Sequence, residues 1–212
     1  MFRKPSWLAL VAVVLAAPAS EAQQGRQIHL VVLGDSLSAG FLISSSTAFP
    51  AVLERALRQR GLPVVVTNAA VSGDTAADGL ARLDRDVPEG TDGVVLELGA
   101  NDKLKRQDPG AAQAALAEIV RRLTARRIPV LVAGIRFTDA AGAPYNGIFR
   151  AVARRYRSTY YADIYAGLAS DARFTIFDRT HPSPEGVAVM VAGILPTAER
   201  FVRGPVAARL RR

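Results

Sequence analysis

The stretch Ile28-His29-Leu30-Val31-Val32-Leu33-Gly34-Asp35-Ser36-Leu37-Ser38 decides the fold. Its Val- and Ile-rich run favours a pleated, buried strand. Gly34 lets the backbone turn sharply, and Ser36 then stands at the carboxyl end of the strand, where open α/β sheets hold their ligands. Two readings follow. Ser36 is a nucleophile presented at a strand end, or the segment is an ordinary strand-to-loop turn, in which Gly, Asp and Ser are common. The rest of the chain has to separate them.

Outward from this stretch, strands and helices alternate. Ser44-Ser45-Ser46-Thr47 offers helix N-caps, and Phe49, Val52, Leu53, Ala56 and Leu57 recur at helical spacing with Gly61 placed to end the helix. Residues 63–67 read as a second strand, 75–83 as a short helix, 93–98 as a third strand and 109–127 as a helix with Leu116, Ile119, Val120 and Leu123 on one face. Residues 129–133 form a fourth strand, 145–157 a helix, 159–164 a fifth strand and 185–202 a last helix. Such alternation predicts an α/β fold, a three-layer α/β/α sandwich around a five-stranded parallel sheet with right-handed crossovers. No repeat, linker or low-complexity segment divides the chain. Residues 23–212 read as a single domain ending in a frayed basic tail, 203–212.

Residues 1–22 read as a signal peptide. Arg3 and Lys4 are followed by an apolar run from Trp7 to Ala17 that is too short to span a bilayer, then by Ser20-Glu21-Ala22 as a cleavage site. The mature protein is expected to be periplasmic or secreted. The chain has no cysteine, which excludes disulfides, thiolate nucleophiles and Cys-ligated zinc. Its formal charge of +8 comes mostly from arginines scattered over helix faces, without aromatic interleaving. A solvated basic surface, with transient contact to a membrane surface, explains this better than nucleic-acid binding.

Four polar clusters fall at predicted strand ends or in the last loop, on one edge of the sheet: Ser36; Ser72-Gly73-Asp74; Asn101-Asp102; and Asp178-Arg179-Thr180-His181-Pro182. Acyl transfer by a serine needs a base, a group orienting the base, and donors for the oxyanion. The chain has two histidines. His29 lies inside the first strand and reads as a strand-face residue. His181 lies in a loop at the expected edge, three residues after Asp178, a spacing that lets a carboxylate hold one imidazole nitrogen and leaves the other for Ser36. The same pair could instead ligate a metal, but the remaining histidine and the absence of cysteine make a poor ligand set.

The order Gly34-Asp35-Ser36-Leu37-Ser38, Gly73, Gly99-Ala100-Asn101-Asp102, Asp178-Arg179-Thr180-His181 resembles the SGNH (GDSL) hydrolase family over nearly the whole mature chain. Ala69 to Thr75, Val95 to Gly99, and Gly134-Ile135-Arg136 with Tyr145-Asn146 are similar to its bacterial thioesterase/lysophospholipase and arylesterase branch. The resemblance implies a flavodoxin-like sheet and no cofactor or metal. It implies Ser36 as nucleophile, His181 as base, Asp178 as its orienting acid, and an oxyanion hole from the backbone N–H groups of Ser36 and Gly73 and the Asn101 amide. Asp35 and Asp102 would fix the turn and the amide; Asp74 would help them or cap the next helix. Glycine at 73 would let the backbone approach the substrate. Position 38 is Ser, so the G-x-S-x-G elbow of α/β-hydrolases is missing.

Leu37, Leu104, Ile135 and Phe137, with Phe41 and Leu42, are candidates to line an acyl groove, although periodicity does not separate them from core residues. The expected activity is hydrolysis of carboxylic esters or thioesters, such as aryl esters, acyl thioesters or lysophospholipids, by a monomer. Removal of acetyl groups from polysaccharide, and a non-catalytic binding module of the same shape, are the alternatives.

Overall fold

The computed structural model describes residues 26–211; the segment read as a signal peptide lies outside them. Strands β1 (Ile28–Gly34), β2 (Val64–Asn68), β3 (Gly93–Glu97), β4 (Val130–Ala133) and β5 (Thr159–Tyr161) form one parallel sheet in the order β2-β1-β3-β4-β5. The three inner strands are buried on both faces, save His29, so they are continuous apolar runs without alternation. The edge strand β5 is half-buried and reads Thr-Tyr-Tyr.

Helices cover both faces. On one, α2 (Phe49–Gln59) packs against α8 (Pro184–Phe201); on the other, α3 (Ala76–Ala81), α6 (Pro109–Ala125) and α7 (Ile148–Arg155) pack in a row. Short helices α1 (Ser36–Ala39), α4 (Leu83–Asp86), α5 (Ala100–Leu104) and α9 (Ala207–Leu210) complete the chain order. The expected three-layer α/β architecture is thus the one observed.

The chain leaves β1 for β2 on one side and returns to β3 on the other. Its switch point therefore lies between β1 and β3, and the carboxyl ends of those strands frame the crevice where such sheets bind ligands. Register fixes the frame: Leu33 lies opposite Leu96 and Gly34 opposite Glu97.

Two local expectations are corrected. Ser44 does not cap α2; it caps a 3₁₀ turn at Ser45–Thr47, and Ala48 precedes α2 with Pro50 in its first turn. Gly61 does close α2: at φ +75° it donates to the Arg58 carbonyl (2.9 Å), while Leu62 donates to that of Leu57 (3.2 Å). The second correction concerns the tail. Residues Val202–Val206 form a π turn leading into α9, Val206 is fully buried, and Arg209 donates to the carbonyls of Arg127 (2.8 Å) and Thr91 (3.2 Å). Charge alone suggested fraying; the buried valine and the carbonyls left open at the end of α6 hold the tail in place. Val206→Ala is expected to cost about 2 kcal/mol and lower Tm by roughly 4–8 °C in a thermal melt. A frayed tail would leave Tm unchanged.

Candidate active site

Ser36 opens α1, one turn at the carboxyl end of β1. Asp35 caps that turn, its Oδ1 accepting from the Leu37 N–H at 3.0 Å, and Gly40 ends it in the left-handed region. Gly34 is not itself the turning residue. A Cβ there would stand 2.8 Å from Glu97 Oε2 and 2.9 Å from Ser38 Oγ, so its role is close approach.

The Asp178–His181 loop hangs between β5 and α8. A bridge between Thr175 and Pro182 closes its neck, and Ile176 N–H donates to the His181 carbonyl at 2.9 Å. Inside, Arg179 adopts φ +57° and donates to the Ile176 carbonyl. Asp178 Oδ1 accepts from the backbone N–H groups of Thr180 (2.9 Å) and His181 (3.0 Å). Its Oδ2 lies 2.5 Å from His181 Nδ1, and His181 Nε2 lies 2.9 Å from Ser36 Oγ. Partial burial opposes charge on Asp178, but the imidazole and the two backbone donors outweigh it and hold its pKa down to about 2. The Phe41 ring stacks on the imidazole, centroids 4.4 Å apart.

Asn101 begins the turn after β3. Its amide donates to Asp35 Oδ2 (3.1 Å) and to the Asp74 carbonyl (3.0 Å), tying the ends of β1, β2 and β3 together. Gly73 adopts φ +89° with open space where a Cβ would be, so the backbone conformation demands glycine there. Its carbonyl accepts from Lys105 Nζ at 2.7 Å. Asp102 is buried and accepts from the Ala76 N–H at 2.9 Å; it fixes the start of α3 and not the Asn101 amide. Asp74 does not cap α3 either. Thr75 and Asp78 form a reciprocal capping box there, and the Asp74 carboxylate pairs with Arg82.

Two residues escaped the sequence reading. Arg82 is nearly buried and donates to the carbonyls of Gly34 and Ala69 and to the carboxylates of Asp74 and Asp86, bracing the β1 and β2 ends from beneath. Glu97, fully buried at the end of β3, accepts through Oε2 from Ser38 Oγ (2.8 Å) and Asp35 N–H (3.3 Å), while Oε1 has no partner among the described residues. The signal for Glu97 was a lone acid inside an apolar strand; an arginine at the junction of two short helices gives none.

Burial raises the Asp35 carboxyl to about 7, and burial together with the neighbouring Asp35 charge raises Glu97 well above its ordinary value. Both groups hold protons in the folded state that the unfolded chain has released. The contribution of Asp35 to stability is therefore full below about pH 4 and is lost as pH rises through about 7, and that of Glu97 is likewise full in acid and lost only as pH rises past its raised pKa. The carboxylates depressed to about 2 (Asp86, Glu118, Asp178) act in the opposite sense, but only as pH falls below about 4. Thermal melts are expected to show Tm falling from mildly acidic to mildly alkaline pH, and Glu97→Gln to flatten that fall. An equally steep profile in the variant would remove Glu97 from this account.

The apolar expectations divide. Leu37 and Ile135 are 1% and 2% exposed and pack in the core, where a side chain presents nothing to a ligand. Leu104 and Leu42 are exposed, and Phe137 is half-buried beneath Lys103 Nζ. His29 sits near the amino end of β1, far along the strand from Ser36, with its N–H on Asp92 Oδ2. A cavity of about 710 Å³ also opens at that amino edge. Arg127 and Arg157 line it at the carboxyl ends of α6 and α7, where cations offset the helix dipoles, Arg209 lines it from α9, and none of the candidate residues reaches it. Among the described residues, no cluster of three or more His, Asp or Glu side chains could hold a metal.

Residues 32–189 match the GDSL-like Lipase/Acylhydrolase family. The chain is 31% identical over 180 residues to Esterase TesA of Pseudomonas aeruginosa, covering 82% of this chain and 90% of the relative. It is 36% identical over 141 residues to an arylesterase of Vibrio mimicus, covering 66% and 70%. In structure it is similar to crystalline TesA (TM-score 0.77, 29% identity, 83% of this chain and 99% of the other) and to AlinE4, an SGNH-hydrolase family esterase (TM-score 0.70, 30% identity, 83% and 97%). The chain belongs to the GDSL-like lipase/acylhydrolase family, and its class of activity is ester hydrolysis.

Proposed function

We propose that the chain hydrolyses carboxylic esters and thioesters through an acyl-enzyme on Ser36. Ser36 Oγ attacks the substrate carbonyl carbon as its proton passes to His181 Nε2. The imidazolium, steadied by Asp178, then protonates the departing alkoxide, phenolate or thiolate. Water repeats the sequence on the acyl-enzyme, with His181 again as base, releasing the acid and restoring the Ser36 hydroxyl. The N–H groups of Ser36 and Gly73 receive the oxyanion, and the Asn101 amide joins them by turning from the Asp74 carbonyl to the oxyanion the one hydrogen that Asp35 does not hold. The observation that carries this reading is the unbroken hydrogen-bond series Asp178–His181–Ser36 at a switch point of the sheet.

Aryl esters, acyl thioesters and lysophospholipids are the substrate classes, in keeping with the names of the arylesterase and of the thioesterase 1/protease 1/lysophospholipase L1 of Escherichia coli, 37% identical over 124 residues. Residues 1–22 direct export, and residues 23–212 act as one domain outside the cytoplasm. Among the described residues no helix is long and apolar enough to cross a membrane.

The test is a serine-directed fluorophosphonate against p-nitrophenyl esters from acetyl to palmitoyl. One adduct per chain, on the peptide carrying Ser36, with loss of turnover and with activity indifferent to chelators, is the expected result. Labelling elsewhere, or full activity after labelling of Ser36, would overturn the assignment.

A further inference from the structure

Exposed apolar side chains scattered singly over a surface need no explanation. Here they are not scattered. Among the described residues, the exposed large apolar side chains are Phe41, Leu42, Val71, Leu104 and Phe177. Every one lies on a loop or short helix at the carboxyl edge of the sheet: Phe41 and Leu42 after α1, Val71 between β2 and α3, Leu104 at the end of α5, Phe177 beside Asp178. They ring Ser36 and His181 from four segments distant in sequence.

Folding does not account for them. Leu42 is 65% exposed and adopts φ +58°, a conformation that strains a branched side chain and that Gly or Asn would take more cheaply. Phe177 is 85% exposed at the tip of the loop that carries the candidate base. The chain bears both strain and exposed apolar area at the mouth of its site, the kind of outlier from which a functional hypothesis properly starts.

The cations of the rim indicate the partner. Lys105 and Arg106 follow Leu104, and Arg179 follows Phe177 by two residues. Arg106 and Arg179 are exposed, pair with no carboxylate among the described residues, and also adopt positive φ, +55° and +57°. Of the five described non-glycine residues with positive φ, these two and Leu42 lie on the rim; the other two, Arg127 and Arg157, close α6 and α7. Apolar tips alternating with unpaired cations are complementary to an anionic phospholipid surface, into which the tips insert while the guanidinium groups meet phosphates.

We propose that this rim docks the protein on anionic phospholipid bilayers with the Ser36 crevice facing the lipid, so that single-chain acyl lipids pass from the bilayer to the site without crossing water. The inference rests on the ester-hydrolase reading for its substrate but not for the docking itself. It is tested with Ser36→Ala protein in co-sedimentation with phosphatidylcholine–phosphatidylglycerol vesicles, with pure phosphatidylcholine vesicles, and with neither.

Binding to the anionic vesicles, weaker on pure phosphatidylcholine and reduced by salt, is expected. Val71→Ser with Phe177→Ser should lower that partitioning at least about tenfold, since each lost apolar tip forfeits roughly the burial of a core side chain. On the otherwise wild-type chain the same pair should leave hydrolysis of soluble p-nitrophenyl acetate unchanged. Leu42→Asn should lower partitioning while raising Tm by about 2 °C through relief of backbone strain.

Vesicle binding that survives these substitutions would assign attachment to the basic surface at large and overturn the rim. Absence of vesicle binding, or a dimer in sedimentation that the substitutions dissolve, would overturn it as well. Vesicle binding by a wild-type chain inert on every ester would instead refute the enzymatic reading and leave the docking intact.

Discussion

Asp178→Asn is expected to lower kcat for ester hydrolysis by about 10⁴-fold with little change in KM. The size of the effect follows from how the carboxylate is held. Its Oδ1 is occupied by two backbone N–H donors, from Thr180 and His181, which only an oxygen can satisfy. An asparagine must therefore keep its carbonyl there and turn its NH₂ toward His181 Nδ1. Nδ1 then becomes an acceptor, the imidazole proton moves to Nε2, and the base offers Ser36 a hydrogen where it should offer a lone pair. The fold should be retained, so circular dichroism should match the parent while turnover collapses, with Tm lowered only by loss of the charge that the imidazole and the two N–H donors favour. A variant with more than about a tenth of parental kcat would mean that the imidazole tautomer is not set by Asp178.

Ser36→Ala is expected to cost about 10⁴-fold or more in kcat, again with the fold retained, since the Asp35 cap of α1 and the register of β1 do not involve the hydroxyl. Combining it with Asp178→Asn should cost no more than Ser36→Ala alone, because the acid and base have no task without the nucleophile. Additive losses, or equal activity in parent and alanine variant, would show that Ser36 is not the attacking group. What turnover remains should come from the oxyanion donors and binding, and Asn101→Ala should remove about 2.7–4 kcal/mol of that.

Strand ends were legible in the sequence because β1, β3 and β4 are buried on both faces and so read as unbroken Val/Leu/Ile runs that stop at Gly, Asp and Asn. The order of polar clusters along the chain then brought Ser36, Gly73, Asn101, Asp178 and His181 to one edge before any coordinates. Contacts that depend on which side of a short element a residue faces were not legible. Asp102 looked like a partner for the neighbouring Asn101 but reaches Ala76 across the sheet edge. Leu37 and Ile135 looked like groove residues but follow strand and turn geometry into the core, whereas Leu104 points outward from α5. Arg82 carries no sequence mark, because its four partners come from three segments that meet only in the folded chain. Gly34 was identified as necessary for a turn but serves close approach to Glu97 and Ser38, whereas the positive φ of Gly73 left no mark in the sequence.

The nucleophile and the base are carried by parts of very different local stability. Ser36 follows a strand paired on both sides in the middle of the sheet, whereas His181 sits in a loop pinned by a single bridge at Thr175 and Pro182 and by the first turn of α8. Amide protons of β1 should exchange only with global unfolding, and those of residues 176–181 through far cheaper local openings. Mild heat or denaturant should then detach the imidazole while the sheet is intact. Inactivation would precede the loss of secondary structure and reverse fully on cooling, so that working temperature is set by one loop and not by the melting of the fold.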